Sequence, residues 1–207
     1  MVRQRVRLRF CKRESLRFIG HRDLLRLMER LLRRAKLPVA MTEGFHPKQK
    51  VSYVSALGLG YAGNDEVMEV VLDAPLTPEE ILAKLNGASV EGLLFHRAEI
   101  LPETGHKSAA QAFRYEIRIP PEFSAGLDEK IEAFLAAESV PAVKANGKPV
   151  ELRGAVLSLT RQDDALFALF AVQSGPEAGV RELLGYFGLE QELFRSLFPV
   201  RIETVLA

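Results

Sequence analysis

Residues 2–36 read VRQRVRLRFCKRESLRFIGHRDLLRLMERLLRRAK, and within them the hydrophobic period changes once. Val2, Val6, Leu8 and Phe10 alternate with Arg3, Arg5, Arg7 and Arg9, which is the two-residue period of a half-buried strand. From about Gly20 to Lys36, Leu24, Leu25, Met28, Leu31, Leu32 and Ala35 form an apolar stripe. Arg22, Arg26, Arg30 and Arg33 follow one another at i, i+4, i+8 and i+11 on a different face. This pattern predicts an amphipathic helix that ends before Pro38.

Working outward, residues 38–41 and 50–57 read as extended segments around the turn-rich Glu43-Gly44-Phe45-His46-Pro47, and 66–72 as a strand. Thr77-Pro78-Glu79-Glu80 opens a second helix, with Thr77 as N-cap, Pro78 at the first helical position and Glu80 completing a capping box. A strand at 90–100 follows. The order then repeats as strand 113–119, helix 127–137, strands 155–159 and 166–172, helix 177–187 and strand 200–206. The expected fold is α+β, built as two ferredoxin-like βαββαβ units with antiparallel sheets and helices on one face. The expected domains are a basic one at 1–101 and an acidic one at 111–207, with the polar segment 102–110, which carries Pro102 and Gly105, as linker.

With 207 residues, 47% hydrophobic and 27% charged, the chain has globular composition, which excludes disordered and collagen-like classes. Its longest apolar runs fall far short of the roughly 20 residues needed to span a bilayer. The N-terminus alternates arginine with apolar residues instead of entering a signal-peptide core, so a soluble cytoplasmic protein is expected. Cys11 is the one cysteine, too few for an intramolecular disulfide or a multi-thiolate metal site. The net charge of +1 conceals an asymmetry: residues 1–60 hold 15 basic and 4 acidic residues, and the remainder 13 and 23. A basic segment on an otherwise acidic chain is the footprint expected where one face meets a polyanion.

The side chains that would make this footprint are Arg3, Arg5, Arg7 and Arg9, expected on the open face of the first sheet, with Arg17 and the helix residues Arg22, Arg26, Arg30, Arg33 and Arg34. Guanidinium binds phosphate bidentately and stacks on bases. The blander expectation for the strand row is solvation, or pairing with acids of the second half. For the helix it is an ordinary solvated face with a Glu29–Arg33 pair. The loop Thr42 to Lys50 adds Gly44, Phe45, His46, Pro47, Lys48 and Lys50. Its Phe45 either stacks on a base or tucks into the core. His21 and Asp23 stand where they would cap the first helix. The four histidines lack metal-ligand spacing, and Gly58-Leu59-Gly60 lacks the lysine of a phosphate loop, so no metal and no cofactor are expected.

Leu16-Arg17-Phe18 followed by His21 and Asp23-Leu24, an arginine-rich helix ending Arg33-Arg34-Ala35, and Gly44-Phe45-His46-Pro47 leading into Val51-Ser52 resemble an uncharacterised bacterial family associated with radical-SAM proteins. The likeness spans roughly residues 3–73. In that family such a domain is fused behind a radical-SAM protein that also has a cobalamin-binding region, or is made as a separate chain. Members commonly carry asparagine where His46 stands and leucine where Arg22 stands. The resemblance implies a radical-SAM enzyme as partner and brings no activity of its own. The resulting expectation is a non-catalytic accessory module that binds RNA, such as tRNA or rRNA, for modification. The alternatives are a metal-independent endoribonuclease resembling CRISPR repeat-processing enzymes, with His21 or His46 as acid or base, and a protein-interaction module.

Overall fold

Strand β1 (Gln4–Lys12) buries Val6, Leu8 and Phe10, each no more than 1% exposed, and turns Arg5, Arg7 and Arg9 to the other face. This computed structural model describes residues 3–172 and 178–207. The chain divides into two compact units, Met1–Ala109 with Ala207, and Ala110–Leu206.

In the first unit β1 leads through a short 3-10 turn into α1 (His21–Arg34). Leu24, Met28, Leu31 and Leu32 form the buried stripe of α1. The helix stops where Lys36 enters the left-handed region at φ 52°, two residues before Pro38. Its N-cap is Gly20, which has no side-chain capping bond; the expected cap residues His21 and Asp23 lie inside the first turn. Next come β2 (Val51–Tyr53), β3 (Ala62–Leu72), α2 (Pro78–Ala88) and β4 (Leu93–Leu101). The capping box of α2 is complete, since Thr77 Oγ1 accepts from the Glu80 amide at 3.2 Å and Glu80 Oε2 from the Thr77 amide at 2.8 Å. β4 begins later than 90 because Gly92, at φ 81°, makes a turn there. A Cβ on Gly92 would lie 2.6 Å from the Arg13 carbonyl oxygen.

The strands of this unit run β4-β1-β3-β2, all antiparallel. One core joins β1, α1, Met68, Val70 and Leu72 of β3, Ile81 and Leu85 of α2, and Leu93 and Phe95 of β4. The Phe10 and Phe95 rings lie 5.5 Å apart in it. Each large side chain buried this way contributes about 1.5–3 kcal/mol.

The second unit comprises β5 (Ala110–Arg118), α3 (Leu127–Ala136), β6 (Pro141–Val143), β7 (Pro149–Glu151), β8 (Val156–Gln162), β9 (Ala165–Ala171), α4 (Val180–Phe187) and β10 (Val200–Leu206). Its strands run β10-β5-β9-β8, again antiparallel, and β6 pairs with β7 as a separate hairpin that the sequence did not signal. The helix expected from 177 starts at Val180; residue 177, like Val2, lies outside the described residues. The protein is thus a mixed α+β molecule with antiparallel pairing. Among the described residues no helix is long and apolar enough to cross a membrane.

Candidate nucleic-acid interface

Strand register decides the fate of the arginine row. Arg7 stands directly opposite Glu69 of β3 and Glu99 of β4, while Arg5 and Arg9 are set two residues to either side. Arg7 meets Glu99 at 3.3 Å and Glu69 at 3.9 Å, and Arg5 meets Glu69 at 3.2 Å. Arg9 pairs with Asp65, and Arg3 lies 3.6 Å from Asp73. Acids of β3, β4 and the turn after β3 therefore pair with the row expected to face phosphates, inside the first unit.

Residues 102–108, within the segment 102–110 expected as the linker, close over the same row. Arg5 donates to the carbonyls of Pro102, Gly105 and His106 at 3.3, 3.2 and 3.0 Å, and Arg7 donates twice to Ser108 Oγ, at 2.6 and 3.0 Å. A Cβ on Gly105 would sit 3.2 Å from the Arg5 guanidinium, so this close approach suits glycine. Glu69 is buried. Burial alone would raise its pKa, but hydrogen bonds from Ser108 and Arg5, with the Arg5 charge, hold it below the ordinary carboxylate value.

The helix arginines behave differently. Arg22, Arg26, Arg30, Arg33 and Arg34 are all exposed. Arg26 lies 3.3 Å from Asp23, and Arg34 donates to the Ala88 carbonyl. Arg33 donates to the Glu29 backbone carbonyl at 3.3 Å instead of making the expected side-chain pair.

The loop after α1 closes on itself. The Thr42 amide donates to the Lys48 carbonyl at 2.7 Å, the Lys48 amide to Thr42 Oγ1 at 2.9 Å, and Met41 bridges Gln49. Phe45 is fully exposed, which removes the reading that tucks it into the core. His46, Pro47 and Lys48 are exposed beside it. A cavity of about 250 Å3 lined by Glu29, Arg33, Met41, Pro47, Lys48 and Gln49 brings this loop against the arginine face of α1.

The two histidines of the ribonuclease alternative are not brought together. His21 sets its ring edge-on to Tyr53, with centroids 5.9 Å apart, and its Nδ1 is buried without a hydrogen-bond partner. Burial and then the Glu29 charge push the Tyr53 pKa up. His46 sits on the loop that packs at Glu29 and Arg33, and Glu29 is eight residues, about 12 Å, along the helix from His21.

Arg17 is half-buried and stacks its guanidinium on Phe18 at 4.8 Å. Cys11 is buried at the end of β1, where it donates to the Asn64 carbonyl at 3.2 Å; burial pushes its thiol pKa up. Among the described residues no group of three or more His, Cys, Asp or Glu side chains is placed to hold a metal. Lys12, fully buried and donating to the Ile19 carbonyl at 3.1 Å, was missed because a strand-end lysine ordinarily reads as exposed. Lys50 is half-buried and lines a larger cavity with Gln49 and Lys107, two residues the sequence did not single out.

No curated protein matches this chain. A solved structure, an unknown protein from Galdieria sulphuraria, is similar at 13% identity and a TM-score of 0.30 over 82% of this chain and 81% of that one. A family model described as "Uncharacterized protein conserved in bacteria (DUF2344)" matches residues 5–182.

Proposed function

The chain belongs to the DUF2344 family of bacterial proteins, a membership that assigns no activity, and from that premise we propose that it is a non-catalytic RNA-binding module. Its interface is the exposed face of α1, with Arg22, Arg26, Arg30 and Arg33, joined to the loop bearing Phe45, His46 and Lys48. Arg3, Arg5, Arg7 and Arg9 do not belong to it, because their charge is already matched by acids.

The observation that carries this reading is Phe45. An aromatic side chain held wholly in water, on a loop whose Pro47 and Lys48 share a cavity with Arg33 of α1, suits base stacking flanked by phosphate contacts. The shared cavity at Arg33 and Pro47 supports a single continuous surface. Chemistry on the RNA is assigned to a radical-SAM partner in the cytoplasm, a role that rests on the motif resemblance. This chain's lone thiol cannot hold an iron–sulfur cluster by itself. We read both units as ferredoxin-like, which the strand orders β4-β1-β3-β2 and β10-β5-β9-β8 support.

Purified protein mixed with labelled structured RNA in EDTA tests the proposal. Retention without cleavage is expected. Cleavage would favour the ribonuclease, and absence of both would favour a protein-interaction module.

A further inference from the structure

The open face of the first sheet carries a cavity of about 370 Å3 that the interface above leaves unused. Arg5 stands opposite Val71, and Ser52 opposite Glu69. With Lys50 two residues before Ser52, these side chains share one face. Thr42 and Gln49 of the loop wall one side, and Gly105 and Lys107 of the segment covering the arginine row wall the other.

The charged groups of the lining are Arg5, Lys50, Lys107 and Glu69. Arg5 and Glu69 hold each other at 3.2 Å, so the remaining charge is that of two ammonium groups. Among the described residues neither ammonium has an ion-pair or hydrogen-bond partner. The Gln49 side-chain oxygen is likewise buried with no hydrogen-bond partner. Two free cations and a hydroxyl suit a phosphate, and a turn of the Gln49 amide toward the cavity would give its unpartnered oxygen an N–H donor. A cavity of this size falls within the usual range for small-molecule sites, and an inorganic phosphate would leave most of it empty. Gln49 also lines the 250 Å3 cavity formed with Arg33, Pro47 and Lys48, so the two sites share a wall.

We infer that this cavity is a nucleotide subsite: it takes one nucleoside monophosphate unit, with the phosphate between Lys50 and Lys107 and an N–H of the base donating to Gln49. That the unit belongs to a longer RNA rests on the function proposed above; the recognition chemistry does not.

Titration of the full chain with AMP and CMP, and with inorganic phosphate in parallel, followed by calorimetry, tests the subsite. Saturable nucleotide binding is expected, with inorganic phosphate at least about tenfold weaker for want of the base contact. Lys50→Ala with Lys107→Ala should weaken nucleotide binding by about tenfold or more. Gln49→Leu should weaken nucleotide but not phosphate. Circular dichroism checks folding, and Lys107→Ala alone, at an exposed position, decides the matter if the double variant is unfolded. Phosphate binding as tight as nucleotide, or binding indifferent to these changes, overturns the subsite. RNA retention with no nucleotide binding overturns the subsite alone. Nucleotide binding with no RNA retention upholds the subsite and overturns the RNA-binding function.

Discussion

Phe45 and Phe10 are the same side chain at opposite extremes of exposure, and their truncations should separate cleanly. Phe45→Ala is expected to weaken RNA binding by about 1–3 kcal/mol, the range for a base stacked on an aromatic ring, with the melting temperature unchanged. Phe10→Ala, in the core, would instead cost about 3–5 kcal/mol of folding stability. Fluorescence anisotropy beside thermal denaturation reads both, and unchanged affinity in Phe45→Ala would remove the ring from the interface. Glu69 gives a second test at this scale. Its folded pKa lies below the ordinary 4.5 that it takes in the unfolded chain. The ionised carboxylate therefore stabilises the fold fully above about that pH, and the contribution is lost as pH falls through the lower folded value. Glu69→Gln should be less stable at neutral pH and should flatten the acid limb of stability measured by denaturant unfolding. An unchanged limb would show that Ser108 and Arg5 do not hold the charge.

Two elements carry arginine rows, and their substitution should give opposite results. Arg26, Arg30 and Arg33 on α1, changed together to Gln, should leave the fold intact and weaken RNA binding whatever its sequence. If each contacts one phosphate, the log–log salt slope becomes shallower by about 2. Arg5, Arg7 and Arg9 on β1, changed together to Gln, should lower the melting temperature, because Glu69 and Asp65 lose their arginine partners and Glu99 is left with Arg97 alone. Each pair is only partly shut off from water, so each loss costs less than the roughly 3–5 kcal/mol of a fully buried pair. A β1 triple variant that melts normally and loses RNA would return the row to the interface. The period in the sequence was enough to place β1 and α1, and Thr77 with Glu80 announced the start of α2. The acids that neutralise β1 were not legible, since they lie 56 to 92 residues away and only strand register shows which of them stand opposite. The β6–β7 hairpin escaped because three-residue strands carry no measurable period.

Across the whole molecule, counting charge located the basic end of the chain but overstated what is free to bind. Of the 15 basic residues in positions 1–60, Arg3, Arg5, Arg7, Arg9 and Lys12 are engaged internally. Sequence could not separate these from the helix arginines, since burial and pairing are properties of the folded chain. Nor could it show that residues 102–108, polar and carrying proline and glycine, are fastened by the guanidinium groups of Arg5 and Arg7, with Arg5 holding the carbonyls of Pro102, Gly105 and His106. That fastening has a kinetic meaning for a protease. Trypsin cuts chain that opens locally, and a segment whose carbonyls are held opens less often than a loose one. Lys107, exposed as it is, should resist cleavage in the native protein, and Arg5→Gln should accelerate the cut there while leaving the cut after Lys48 at its original rate. Mass spectrometry of timed digests reads both bonds at once, and equal rates after Lys107 in the two proteins would mean that the guanidinium does not hold the segment shut.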